Sequence, residues 1–195
     1  DVILDDSRGR FAIYGINGSL NWNGDEDVMP APSRLSWGSG SAYSIIVGGG
    51  EFFAQLGDND IALLQPLIIE TMGGALNIDR LELQDFGSDE ATGVLDATLE
   101  PIQLGQLSGA VGWPAFSGTL SGRLPLLTLA ANTITVGGTL SANAFDGAVE
   151  MSNLRIEQPF SRVPRLQADM TLRGLDLERL TDAFSFGLIQ GRLSA

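Results

Sequence analysis

The sequence of 195 residues contains no cysteine, no histidine and no lysine. Each absence removes chemistry. Without histidine or cysteine there is no Ser-His-acid or Cys-His nucleophile, no structural zinc site, no haem held by either residue and no cysteine-ligated iron–sulfur cluster. All 11 basic residues are arginines, set against 24 acids for a net charge of −13, so the concentrated basic surface that a phosphate backbone demands is missing and nucleic acid is not an expected partner. Aromatic residues make up only 7%. No run of about 18 apolar residues is available to cross a bilayer as a helix. Carboxylate, hydroxyl and arginine chemistry remains, and none of it assembles into a motif. Asp25-Glu26-Asp27 and Asp58-x-Asp60 lack the spacing of a calcium loop and read as solvated turns. Gly48-Gly49-Gly50 is not followed by the Lys-Ser/Thr of a phosphate loop, and Ser39-Gly40-Ser41 has no base to activate it, so both read as turns. No catalytic residue, cofactor or metal is expected, and the protein is read as a non-enzyme. The absence of cysteine leaves the compartment open. A chain opening on Asp1 reads as a piece of a larger protein.

What is present is glycine, at 25 residues, and a hydrophobic content of 44%, enough for one domain spanning 1–195. Apolar residues alternate with polar ones in Arg10 to Tyr14, Gly18 to Trp22, Asn132 to Val136 and Leu166 to Leu172, the period of strands with one apolar face. Turn chemistry separates them at Ile16-Asn17-Gly18, Asn23-Gly24-Asp25, Gly57 to Asp60, Gly73-Gly74, Gly137-Gly138 and Asp146-Gly147. Gly24 to Pro32 reads as an exposed loop. Two segments have helical spacing instead: Pro101 to Val111, through Ile102, Leu104, Leu107 and Val111, and a stronger one with Asp176 as N-cap and Leu177, Leu180 and Phe184 on one face.

The second half repeats the first. Gly74 to Leu83 superposes without a gap on Gly147 to Ile156, a shift of 73 (147 − 74). At the same shift Asp96-Ala97-Thr98-Leu99 falls on Asp169-Met170-Thr171-Leu172, and Ile102, Leu104 and Leu107 fall on Leu175, Leu177 and Leu180. Beyond the helix, Gly118, Gly122, Arg123 and Leu124 match Gly187, Gly191, Arg192 and Leu193 at a shift of 69, as though four residues were deleted. The repeats span approximately 65–124 and 138–193. Within each, the apolar parity flips across a two-residue polar break: Leu76 and Ile78 are followed by Leu81 and Leu83, and Val149 and Met151 by Leu154 and Ile156. A β-bulge or bend would keep one long strand's apolar side facing inward around such a corner, and repeated bends roll a sheet into a trough. The expected fold is mainly β, an antiparallel, repeat-built curved sheet resembling a groove, with two short α-helices.

The Gly-x-Leu strand starts (Gly18-Ser19-Leu20, Gly118-Thr119-Leu120, Gly138-Thr139-Leu140), the step Phe145 to Val149, the helix entry Gly174 to Leu180 and the closing Phe186 to Ser194 resemble the AsmA/TamB/YdbH superfamily of bacterial envelope proteins. The similarity is best to the C-terminal part of YdbH-like proteins, whose domain has carried a "dicarboxylate transport" label, and it covers roughly residues 65–195. The resemblance implies a periplasmic β-groove, usually anchored in the inner membrane, that passes phospholipid toward the outer membrane and meets partners at both. On the residues alone, Leu76, Ile78, Leu95, Ala97, Leu99, Val149, Met151, Met170 and Leu172 fit equally the lining of an open trough for acyl chains or an ordinary sandwich core; the resemblance favours the trough. Two other readings stay open: a dicarboxylate-binding component, which needs converging arginines such as the paired Arg123 and Arg192, and a purely structural β-repeat. The exposed edges and apolar face of such a sheet also suggest capping by a homodimer.

Overall fold

In the computed structural model, residues 2–5, 11–22, 30–42, 45–86, 88, 90–110, 112, 114, 116–130, 132–158, 165–185, 187 and 189–195 are described. In chain order their elements are β1 (Val2–Asp5), β2 (Phe11–Ser19), β3 (Ser33–Ala42), β4 (Ile45–Gly57), β5 (Asp60–Leu63), β6 (Leu67–Thr71), β7 (Gly74–Gln84), β8 (Thr92–Gln103), α1 (Leu104–Ala110), β9 (Gly118–Ala130), β10 (Thr133–Val136), β11 (Thr139–Ala144), β12 (Gly147–Glu157), β13 (Arg165–Arg173), β14 (Leu175–Asp176), α2 (Leu177–Phe184) and β15 (Arg192–Leu193). The fold is mainly antiparallel β, one large curved sheet with two short helices. The sheet runs β1-β2-β3-β4-β5-β7-β8-β9-β10-β12-β11; β6 bridges β4 and β7, β11 also pairs with β9, and β13 lies on β12. Thus β5 and β6 share the flank of β7, and β10 and β11 share the flank of β12 in the same way.

The pairings recur 73 residues apart. Leu56↔Ile61 returns as Leu129↔Ile134, Leu67↔Ile78 as Leu140↔Met151, and Leu76↔Leu99 as Val149↔Leu172. Both helices begin at the same offset, at Leu104 and Leu177. The hairpins turn through Met72-Gly73 (φ 49 and 76) and Phe145-Asp146 (φ 50 and 54), two left-handed residues each, the geometry that matches the twist of the flanking strands. The offset extends from 55–122 onto 128–195, and it holds through the last strand. Ile102↔Leu120 becomes Leu175↔Leu193, and Leu99↔Gly122 becomes the reciprocal backbone pair of Leu172 and Ala195 at 2.8 and 2.9 Å. Gly118 (φ 128) therefore corresponds to Gly191 (φ 132), with no deletion of four residues. The expected equivalence of Arg123 with Arg192 falls with that correction.

Other local expectations are also corrected. Gly48-Gly49-Gly50 lies inside β4 and Ser39-Gly40-Ser41 inside β3; the indole of Trp37 occupies the space above Gly50, within 2.5 Å of where a Cβ would stand, so glycine serves packing here and not a turn. Ile16-Asn17-Gly18 lies within β2. Leu20 and Trp22, expected on a strand, follow the end of β2 and are exposed. The first helix starts at Leu104, because Ile102 is a buried strand residue facing Leu120. Asp25-Glu26-Asp27 and most of the expected loop 24–32 fall outside the described residues, as does Val111. The second helix is as expected: Asp176 Oδ1 accepts hydrogen bonds from the Glu178 and Arg179 N–H groups, satisfying two donors that the first turn leaves free.

Candidate functional site

Directly opposed residues in an antiparallel sheet point to the same face, so the pairings trace rows of side chains across it. One row reads Ile69, Leu76, Leu99, Gly122, Leu140, Met151, Met170 over seven strands. A second reads Leu56, Ile61, Leu83, Gly93, Leu129, Ile134, Ile156, Leu166 over eight. Neither row contains a polar side chain. The rows share a face because β7, β9 and β12 each carry an irregularity between them, at Ile78/Arg80 in β7, between Leu124 and Leu127 in β9, and at Ser152/Arg155 in β12. In β12 the irregularity includes Asn153 in the left-handed region (φ 52). A line of bulges therefore crosses the sheet where the sequence showed its parity flips, keeping both rows on one face.

The opposite face is polar. Its ion pairs are Arg34–Glu51 (3.1 Å), Arg80–Glu82 (2.9 Å), Arg155–Glu157 (3.2 Å) and Arg173–Glu150 (3.2 Å), all solvent-accessible. Arg34 also lies 4.8 Å above the ring of Phe53. The hydrogen bond and charge of Arg80 hold the Glu82 carboxyl below its ordinary range.

One end of the apolar face is closed by the helices. Leu104 and Leu107 of α1, Leu180, Ala183 and Phe184 of α2, and Phe145 in the β11–β12 turn pack against Ala142, Ala144, Val149 and Leu172. Phe116 joins the two repeats, its ring 5.4 Å from Phe145 and 5.5 Å from Phe184. A buried hydroxyl anchors the loop after each helix: Ser108 Oγ accepts from the Phe116 N–H, and Thr181 Oγ1 accepts from the Ile189 N–H, again 73 residues on.

The expected lining residues all lie on this face, with unequal exposure. Ile78 (7% exposed) and Ala97 (2%) are sealed into a cluster with Leu67, joined by half-buried Leu76 and Leu95. Val149 and Leu172 belong to the helix-capped end, Leu99 and Met151 are half-buried, and Met170 on β13 is 56% exposed. Ile69, Leu83, Leu140, Ile156 and Leu166 stand in the same rows and were not expected as lining, although their alternation with polar neighbours is visible in the sequence.

Among the described residues the arginines do not converge on that face. Arg192 donates to the carbonyl oxygens of Gly174 (2.8 Å) and Asp146 (3.5 Å), whereas Arg123 sits exposed in β9 opposite Thr98 and Thr139. A cleft of about 590 Å³ at the β6–β7 turn is lined by Glu70, Thr71 and Gln106, by Ile46, Met72 and Ala75, and by glycine backbone. Among the described residues no cluster of three or more carboxylates is placed to hold a metal, and no helix is long and apolar enough to cross a membrane. Comparison with protein families, with curated proteins and with solved structures finds no match.

Proposed function

We propose that the apolar face holds lipid acyl chains and that the protein is a non-enzymatic segment of an envelope bridge carrying phospholipid. The observation that supports this most directly is the pair of unbroken apolar rows, half-buried along most of their length and lacking any charged side chain. Each methylene removed from water contributes on the order of 0.8 kcal/mol, so a chain of about sixteen carbons covered over half its surface gains about 6 kcal/mol. Because the rows offer the same chemistry at every strand, bound chains can slide along them with little barrier. The polar, ion-paired outer face would stay in water. The periplasmic setting, the membrane anchor and the partners at either membrane follow from the resemblance to AsmA/TamB/YdbH proteins. The dicarboxylate reading would need converging arginines, and among the described residues Arg123 and Arg192 stand apart.

Two measurements test the reading. Native mass spectrometry of protein purified from a bacterial host is expected to show co-purified phospholipid, and photo-crosslinkers at Leu76 or Met151 are expected to capture it in cells, whereas one at exposed Thr92 is not. Lipid-free protein together with no capture at either apolar position would favour the structural β-repeat instead.

A further inference from the structure

We propose that the junction of β4 with β6 is a hinged seam within the sheet, which parts to let acyl chains reach the apolar face beside Trp37 and Phe52. The proposal rests on the lipid reading above and supplies its point of entry. The two repeats differ at this junction. In the second, β11 pairs with β9 through six consecutive residues, from Thr139↔Arg123 to Ala144↔Gly118. In the first, among the described residues, β6 meets β4 at the single pair Val47↔Thr71. The offset of 73 carries Leu120↔Ala142 onto Val47↔Ile69, so the one remaining pair is also slipped by two residues.

Side chains have taken over the acceptors of the missing ladder. Thr71 Oγ1 donates to the Ile46 carbonyl oxygen at 2.8 Å, so this carbonyl faces β6, and by the period of two the Gly48 carbonyl faces it as well. The Gly48 oxygen accepts instead from the Trp37 indole N–H at 2.9 Å. The indole lies over Gly50, where a Cβ would stand 2.5 Å from the ring. The second repeat lacks this arrangement, with Ala144 in the place of Thr71 and Arg123 in the place of Gly50. Single side-chain bonds are released more readily than a run of cooperating ladder pairs, so the seam opens before its neighbours. At its other end β4 stays joined to β5 by four pairs, from Ala54↔Leu63 to Gly57↔Asp60, which makes that hairpin the pivot. The cleft of about 590 Å³, lined in part by Ile46, Gly48, Glu70 and Thr71, stands at the mouth of the seam. Swinging β4 away from β6 draws Trp37 and Phe52 off the cluster of Leu67, Ile78 and Ala97, and uncovers apolar surface continuous with Ile69 and Leu76.

Two experiments separate the seam from its role. In amide exchange of lipid-free protein, Glu70, which lies opposite Gly48 across the seam, is expected to exchange at least about tenfold faster than its counterpart Asn143, which is paired with Thr119 on one side and Ala148 on the other. Equal protection would overturn the seam. The second experiment staples it. A Cβ on Gly48 would stand 3.0 Å from the Glu70 Cβ, close to the roughly 3.5–4.5 Å of a disulfide, and no native cysteine interferes. Both positions lie on the polar face, because Glu70 alternates with Ile69 of the apolar row, so Gly48→Cys with Glu70→Cys leaves the lipid surface intact. Uptake of a fluorescent-acyl phospholipid from phosphatidylcholine vesicles is expected to slow at least about tenfold when the staple is oxidised and to recover on reduction. Thr71→Val, which deletes only the bond to Ile46, is expected to quicken both uptake and exchange at Glu70 about threefold, whether or not the staple forms. Uptake that is equal in the oxidised and reduced forms, or unchanged by Thr71→Val, would overturn the gate and leave the lipid reading standing. Uptake by no form would remove the lipid reading and the gate with it.

Discussion

Gly118 and Gly191 occupy corresponding places in the two repeats and share a backbone conformation, φ 128 and φ 132, that L-residues with a Cβ adopt only under strain. Their surroundings differ. A Cβ on Gly118 would stand 1.7 Å from the Asn143 carbonyl oxygen of β11, whereas one on Gly191 would meet nothing nearer than Leu177 Cδ1 at 3.8 Å. Alanine at either position carries a conformational cost of about 1–3 kcal/mol. At Gly118 it must also push β9 from β11, weakening the pairs Gly118↔Ala144 and Thr119↔Asn143 beside the helix-capped core, at about 1 kcal/mol per hydrogen bond lost. Gly118→Ala is therefore expected to destabilise by about 3–5 kcal/mol and Gly191→Ala by about 1–3. Because the backbone strain is common to both, the difference isolates the strand contact. Urea unfolding followed by tryptophan fluorescence and circular dichroism measures it: with an m-value near 2.5 kcal/mol per molar, the midpoints should separate by about 0.8 M. Equal midpoints, or a larger loss at Gly191, would refute the argument that close approach of β11 dictates glycine at 118.

Removing the α2 cap with Asp176→Ala leaves the Glu178 and Arg179 N–H groups without their acceptor and should cost about 1 kcal/mol, read as a lower thermal midpoint and faster amide exchange in Leu177 to Leu180. Asp176→Asn should recover most of it. The Glu82 carboxyl, held below its ordinary value by the hydrogen bond and charge of Arg80, should titrate at lower pH in the parent protein than in Arg80→Gln in a carboxyl-carbon NMR titration, and equal midpoints would refute the pairing. The sign follows from the direction: a depressed folded pKa contributes stability above the unfolded carboxylate value, and that contribution disappears as pH falls through the folded one.

The irregularity in β7 is legible in the sequence, since Leu76-x-Ile78 and Leu81-x-Leu83 have opposite parity and only an extra residue reconciles them on one face. The helix cap at Asp176 and the turn at Gly57 to Asp60 were equally legible, because each depends on chemistry within a few residues, whereas the turn expected at Asp146-Gly147 lies one residue earlier, at Phe145-Asp146. Other features were not. Gly48-Gly49-Gly50 reads as a turn because glycine permits one, yet the run lies inside β4, where Gly50 makes room for Trp37 from the neighbouring strand. The end of the repeat was misaligned because Gly187 and Gly191 have the spacing of Gly118 and Gly122; pairing of Leu193 with Leu175, and the conformation of Gly191, restore the offset of 73.

By itself the sequence determined the class of fold, mainly antiparallel β with two short helices, since alternation and turn chemistry are local properties of the chain. The tertiary structure alone decided which residues stand in one row, which are sealed and which are open. Ile78 and Met170 read alike as apolar strand residues, and their burial diverges because Ile78 has strands on both sides whereas Met170 stands on an edge. That distinction depends on neighbours distant in the chain, which no local pattern specifies.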